Sequence, residues 1–199
     1  MRLTPEFLLS ATDPAHFPSE AKTYNAPEIA FLGRSNVGKS SLINALLGVK
    51  LAHTSSTPGR TRAINFFALY EPNKTRPTVL FADLPGYGYA KISRAVSAEW
   101  PKFIEPYLAE RETLAMGVCL VDTNIPPQAS DTTLISFFKQ TQRPYLVVGT
   151  KADRISKNNL NKSLAALKAA HEVEEVLPVS AEKGTGIKEL WGRLMATAE

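Results

Sequence analysis

The chain has 199 residues, 44% of them hydrophobic and 21% charged, a balance that supports one globular domain with a core and excludes a disordered or collagen-like chain. Lys and Arg outnumber Asp and Glu by 23 to 19, a net charge of +4 that allows a polyanionic partner but is far below that of a protein coating nucleic acid. A single cysteine, Cys119, excludes an internal disulfide framework and a multi-cysteine zinc site.

Near the N-terminus the longest apolar run is Phe7, Leu8 and Leu9, shorter than the ~7–15 residues of a signal-peptide core. No run approaches the ~20 apolar residues of a membrane span. The expectation is a cytoplasmic protein that meets no membrane. Residues 1–27 carry Pro5, Pro14, Pro18 and Pro27 without a sustained helical or strand period, and are expected to form an irregular N-terminal extension packing Phe7 and Phe17 on a domain spanning residues 28–199.

Six short apolar runs then read as strands: Ile29–Leu32, Ile64–Tyr70, Val79–Ala82, Leu114–Val121, Tyr145–Val148 and Val176–Val179. Helical patterns separate most of them, the signature of an α/β fold with a largely parallel sheet flanked by helices on both faces. The second and third runs are joined only by Glu71–Pro77, too short for a crossover helix, so they are expected to form an antiparallel hairpin and give a six-stranded mixed sheet with one antiparallel edge strand. Trp100, Phe103, Ile104, Tyr107 and Leu108, like Ile187, Leu190, Trp191, Leu194 and Met195, recur at helical spacing, so their aromatics read as core. Pro101 and Pro106 call for a late start or a kink in the first of these helices.

Gly33, Arg34, Ser35, Asn36, Val37, Gly38, Lys39 and Ser40 fit G-x-x-x-x-G-K-S between a strand and the helical stretch Ser41–Leu47. Such a loop wraps its N–H groups, backed by the helix dipole, around a β-phosphate. Lys39 supplies charge to the β/γ oxygens and Ser40 a hydroxyl to Mg²⁺. Kinases, ATPases and GTPases share this loop, so by itself it indicates only a nucleoside triphosphate.

Thr150, Lys151, Ala152 and Asp153, after the fifth run, resemble the guanine-specificity motif N/T-K-x-D of GTPases. A carboxylate accepts from guanine's ring N–H and exocyclic amine, whereas adenine would leave the charge unpaired; the stem of Lys151 can cover one face of the base. Thr replaces the commoner Asn at position 150 and removes one amide donor, and in isolation the segment also reads as an ordinary loop with a solvated Asp–Lys pair. Ser180 and Ala181, preceded by Val179, resemble the fifth GTPase motif, whose backbone N–H groups meet the guanine carbonyl. Asp83, Leu84, Pro85 and Gly86 form D-x-x-G, with Asp83 holding magnesium through water and Gly86 N–H meeting the γ-phosphate. Thr61, in the Pro58-Gly59-Arg60-Thr61 setting, is the candidate switch threonine ahead of Thr57 and Thr54. Ser41, Gly59, Arg60, Arg62 and Ala63 complete the expected nucleotide-binding set.

These motifs stand in GTPase order across residues 33–181. In detail, G-R-S-N-V-G-K-S-S, P-G-R-T, N-F-F and D-L-P-G-Y-G-Y-A-K (residues 83–91) resemble the YihA/YsxC/EngB family of bacterial ribosome-biogenesis GTPases, within the TrmE-Era-EngA-EngB-Septin-like class. The resemblance implies a Ras-like P-loop G domain, monomeric, with GTP or GDP as ligand and Mg²⁺ on Ser40 and Thr61. It also implies slow hydrolysis of GTP, the large ribosomal subunit or its precursor as partner, and a disturbance of cell division and septation on loss.

Lys39, Thr61 and Asn36 are the expected catalytic residues. Tyr87 stands where Ras-type proteins carry the glutamine that orients water, and related potassium-activated GTPases hold K⁺ with an Asn at the position of Asn36. Asn36 equally reads as a loop cap, and Arg34 and Arg60 are weaker rivals as internal arginine fingers. Lys139, Arg143, Lys151, Arg154, Lys157, Lys162 and Lys168, with Asp153 alone opposing them, make residues 139–168 a +6 window. That window suits ribosomal RNA, or equally the solvated face of a helix buried through Leu160, Leu164 and Leu167. Cys119, His16, His53 and His171 have no partner at metal-ligand spacing and read as structural or exposed. A small-molecule kinase, which leaves Asp153 unexplained, and a GTP-binding division-site scaffold are the competing functions.

Overall fold

The apolar runs assemble into one sheet. The computed structural model describes residues 3–52, 63–87 and 104–198. Their elements are β1 (Thr4–Ala11), a single turn Pro14–His16, α1 (Glu20–Thr23), β2 (Glu28–Gly33), α2 (Lys39–Leu47), β3 (Ile64–Tyr70) and β4 (Val79–Asp83). A helical segment α3 over residues 104–110 follows, then β5 (Leu114–Asp122), α4 (Ala129–Thr141), β6 (Tyr145–Thr150), a turn Ala152–Arg154, α5 (Lys157–His171), β7 (Leu177–Pro178) and α6 (Ile187–Ala198).

The strand order is β1-β3-β4-β2-β5-β6-β7, with β2 parallel to both β4 and β5 and the expected hairpin β3–β4 antiparallel. Every residue of β2 is buried, as in a strand covered on both faces. Alternation then sorts the side chains. Ile29, Phe31, Val118 and Leu120 face α2 and α6, through Leu42, Ile43, Leu190 and Leu194; Ala30, Leu32, Cys119 and Val121 join the opposite cluster with Leu134, Ile135 and Phe138 of α4 and Leu167 of α5. Period-two strands between helix layers therefore build two cores on one sheet.

Two expectations need correction. Part of the N-terminal extension is regular: β1 pairs antiparallel with β3, so the sheet of the described residues has seven strands and β3 is not an edge. The register shifts between Phe7 and Leu9, and a bulge of this kind breaks the alternation by which a strand is recognised. Pro5 is admissible because β1 is an edge strand. Phe7 is half-exposed, at 53%, and only touches Phe67 edge-on. Phe17 does pack inward, against Phe66 and Tyr107. Trp100, Pro101 and Phe103 lie outside the described residues, while Ile104, Tyr107 and Leu108 are buried as a helical stripe requires.

At the N-terminal end of β2, the fully buried Glu28 carboxylate is the hub of a polar cluster. Its Oε2 accepts from the Tyr107 hydroxyl at 2.8 Å, and its Oε1 from Thr113 Oγ1 at 2.8 Å and from Arg111 Nη2 and Nε at 2.5 and 3.0 Å. Arg111 also reaches the Pro18 carbonyl, and Arg143 donates to the carbonyls of Ala109 and Arg111. Burial, and then the Glu28 charge, push the Tyr107 hydroxyl well above its usual pKa. Removing one partner of a buried pair strands the other's charge. Glu28→Ala is therefore expected to lower unfolding free energy by about 3–5 kcal/mol in urea titrations.

Candidate nucleotide-binding site

The registers bring the carboxyl ends of the central strands to one edge: Phe31 lies opposite Asp83, Gly33 opposite Leu120, and Asp122 opposite Thr150. Open α/β sheets place ligands at such an edge. Here β2 ends at Gly33 and the loop of residues 34–38 leads into α2, which begins at Lys39, two residues earlier than expected. A Cβ on Gly33 would sit 2.8 Å from Val37 Cγ1 and 3.0 Å from Leu120 Cβ, and Gly38 turns the chain at φ +101°. Both glycines are steric necessities. The first amides of α2 have no intrahelical acceptor and open toward the loop.

The loop is gripped by the segment after β6. The buried Thr150 Oγ1 lies 2.6 Å from the Val37 carbonyl and 3.1 Å from that of Val121. Lys151, in the left-handed conformation, donates from Nζ to the Asn36 carbonyl at 2.7 Å and to Asp122 Oδ2 at 2.6 Å. Asp122 was not singled out from sequence; its only signal is its place at the end of an apolar strand. Burial works to raise its carboxyl, but the bonds from Lys151 and Asn124 prevail and hold it below the usual range. Asn36 itself is exposed.

Lys39 pairs through Nζ with Asp83 Oδ1, both side chains nearly buried. Ser40 and Ser41 follow in the first turn of α2. Beyond Asp83, Leu84 N bonds the Phe31 carbonyl, Pro85 is buried, and a Cβ on Gly86 would meet Ser35 N and Oγ at 3.0 Å. Tyr87 runs beside the loop, with Ser35 N 2.9 Å from its carbonyl and its own N 3.3 Å from the Gly33 carbonyl. Its hydroxyl donates to Asp131 Oδ1 of α4 at 3.0 Å. Neither this bond nor Asp131 was anticipated, since a hydroxyl and a carboxylate 44 positions apart have no pattern to link them. The Arg34 charge acts on both groups, and Arg34 Nε is buried with no hydrogen-bond partner among the described residues.

The exposed Asp153 lies in the turn Ala152–Arg154. A hydrogen bond from Ser180 holds its carboxyl below the usual range. Ala152 N bonds the Val179 carbonyl and Lys183 N the Ser180 hydroxyl, so the T-K-A-D segment and the loop of Val179, Ser180 and Ala181 form one joined wall. The structure thus gathers residues 33–41, 83–86, 150–153 and 179–181 at one end of the sheet. Ala63 directly precedes β3. Gly59, Arg60, Thr61 and Arg62, with Thr54 and Thr57, lie outside the described residues, and among the described residues no cluster of three His, Cys, Asp or Glu could hold a metal by itself.

Known proteins share this architecture. Residues 28–151 match the family described as 50S ribosome-binding GTPase. A probable GTP-binding protein EngB of Acidobacterium capsulatum is 61% identical over 199 residues, covering all of this chain and 92% of the relative. One of the same name from Koribacter versatilis is 55% identical, covering 100% and 96%. The crystal structure of a probable GTP-binding protein EngB superposes with a TM-score of 0.69 at 25% identity, over 86% of this chain and 98% of that one. An Aquifex aeolicus Era variant bound to GDP.AlF4⁻ gives 0.71 at 27% identity, over 86% and 56%. With a glycine-bounded loop at the β2–α2 turn of a Ras-like mixed sheet, and relatives so named matching it from end to end, the chain belongs to the EngB family of P-loop GTPases, which bind and hydrolyse GTP.

Proposed function

We propose that the residues gathered beyond β2 bind GTP with Mg²⁺, and that the chain acts as a slow cytoplasmic switch in assembly of the large ribosomal subunit. The observation that carries the nucleotide reading is the bonding of Thr150 to Val37 and of Lys151 to Asn36, which makes the phosphate cradle and the base-reading segment one unit. Lys39 exchanges Asp83 for the β/γ-phosphate oxygens, and the loop amides of Asn36 and Gly38 with the first turn of α2 bind the β-phosphate. Asp153, kept ionised by Ser180, accepts from the guanine ring N–H and amine. The backbone of Ser180 and Ala181 meets the guanine carbonyl.

The donor set fits Mg²⁺: Ser40 adjoins Lys39, Lys39 holds Asp83, and hydroxyl and carboxylate oxygens are what this hard cation takes. Ser40 and Thr61 would hold the ion, with Asp83 acting through water; bound there, it neutralises charge on the β- and γ-phosphates. Asp153→Asn offers a donor where guanine needs an acceptor. It is expected to keep the fold by circular dichroism while losing preference for GTP over xanthosine triphosphate in competition binding; unchanged preference rejects the assignment.

Hydrolysis is slow on this reading because the Tyr87 hydroxyl is engaged by Asp131 and orients no water, which puts unassisted turnover near that of Ras, about 10⁻⁴ to 10⁻³ s⁻¹. The exposed Asn36 is free to help hold K⁺ beside the phosphates, where it adds the charge an arginine finger supplies elsewhere. Turnover is then faster in KCl than in matched NaCl, and Asn36→Ala removes the difference. Equal rates in the two salts remove potassium from the mechanism.

The ribosomal assignment rests on the family's description as 50S ribosome-binding and on the charged surface. Of the seven basic groups in residues 139–168, Lys139 caps the His171 and Glu172 carbonyls, Arg143 caps Ala109 and Arg111, and Lys151 serves the loop. Arg154, Lys157, Lys162 and Lys168 remain exposed on α5 and its approach, and these four are the candidate RNA contacts. Co-sedimentation with large-subunit particles in a GTP analogue should fall steeply with added salt, as counterion release requires. Lys157→Glu/Lys162→Glu/Lys168→Glu should weaken it further without altering GTP affinity; undiminished sedimentation returns α5 to a solvated face. A monomer, with loss disturbing division through ribosome supply, completes the proposal.

A further inference from the structure

Tyr87 and Asp131 stand outside the nucleotide-binding set, yet they are joined directly beside Gly86, the residue assigned above to the γ-phosphate. The main chain at Gly86–Tyr87 is stitched to residues 33–35 by a parallel bridge made of two backbone bonds, with little room for a side chain at position 86. The side chain of Tyr87 then leaves the loop and gives its hydroxyl to Asp131, in the first turn of α4 and 3% exposed. Leu134, Ile135 and Phe138 seat α4 in the core, so Asp131 is a fixed point. A buried carboxylate costs more than an apolar residue of like size unless it is hydrogen-bonded or paired, and the Tyr87 hydroxyl supplies such a bond. Burial pushes the Asp131 carboxyl up to about 6, against the Tyr87 bond and the Arg34 charge, so an acceptor faces the hydroxyl in either protonation state.

We propose that Asp131 is a positioning residue for triphosphate recognition: by holding the Tyr87 hydroxyl it fixes the Gly86–Tyr87 segment between α4 and the phosphate loop, so that Gly86 N–H is presented to the γ-phosphate. The proposal deepens the functional reading above and rests on its assignment of Gly86. GDP has no γ-phosphate to meet Gly86. The Tyr87–Asp131 bond therefore acts on GTP affinity and leaves GDP affinity alone, whereas a merely structural role lowers stability and both affinities together.

The test measures affinities for GDP and a non-hydrolysable GTP analogue, with Mg²⁺, alongside urea unfolding, for wild type, Tyr87→Phe, Asp131→Asn and Asp131→Ala. Tyr87→Phe and Asp131→Ala are each expected to lower the preference for the analogue over GDP by about fivefold or more, the range of ordinary coupling between sites. Asp131→Asn keeps an oxygen acceptor and restores most of the preference. The double variant Tyr87→Phe/Asp131→Ala should be no worse than the poorer single, because both remove the same bond. Unchanged preference in Tyr87→Phe and Asp131→Ala overturns the proposal, as does parallel loss of both nucleotides in step with lost stability. A wild-type protein that binds the analogue no differently from GDP overturns the assignment of Gly86, and the proposal with it.

Discussion

Two carbonyls of the phosphate loop are held from outside the loop, Val37 by the Thr150 hydroxyl and Asn36 by the Lys151 ammonium. A loop of five residues between a strand and a helix has many conformations open to it, and fixing each residue costs about 1–2 kcal/mol of backbone entropy. Gripping its acceptors from β6 selects one conformation, in which the Ser35 and Val37 amides are bonded to the Tyr87 and Arg34 carbonyls. Asp122 extends the grip, because its carboxylate fixes the ammonium that fixes Asn36. Position 150 illustrates why a hydroxyl suffices there: at a buried strand end it lies within bonding distance of two carbonyls and can donate to either.

The opposite end of β2 is secured by different means. Glu28 gathers Tyr107, Arg111 and Thr113 around one carboxylate, and Arg111 and Arg143 tie in Pro18 and the carbonyls at the C-terminal end of α3. A strand buried at all six positions and anchored at both ends by polar clusters is the rigid member against which the loop is built. The two clusters differ in consequence. The one at Glu28 is sealed and fully partnered and serves stability, while the one at Gly33 is open on the side where the helix amides emerge.

Net charge describes this protein poorly. Lys139 and Arg143 both cap carbonyls at helix ends, an interaction favoured by the helix dipole. Lys151 belongs to the nucleotide end. What remains for a polyanionic partner is a smaller and more localised set on and before α5, so any RNA contact is narrower than the sequence window suggests. Arg34 shows the same principle inside the site: its charge acts on Asp131 and Tyr87, where it opposes the upward push of burial.

Much of the fold was legible because it depends on local pattern. Continuous apolar runs mark strands covered on both faces, an eight-residue gap forbids a crossover between β3 and β4, and the glycines and lysine of residues 33–40 can be read at sight because the loop's geometry is set within the segment itself. β1 was not legible: the bulge after Phe7 breaks its alternation, and an edge strand tolerates the Pro5 that argues against a strand. Asp122, Asp131 and the side-chain role of Tyr87 were likewise hidden, since each depends on a partner 29 or 44 positions away. By itself the sequence determined the order of the strands from β2 onward and the glycine-bounded loop of residues 33–40, all properties of contiguous residues. Only the tertiary structure decided which carboxylate each cation and hydroxyl meets, because those pairings follow from the register of parallel strands and the seating of α4, which no local spacing encodes.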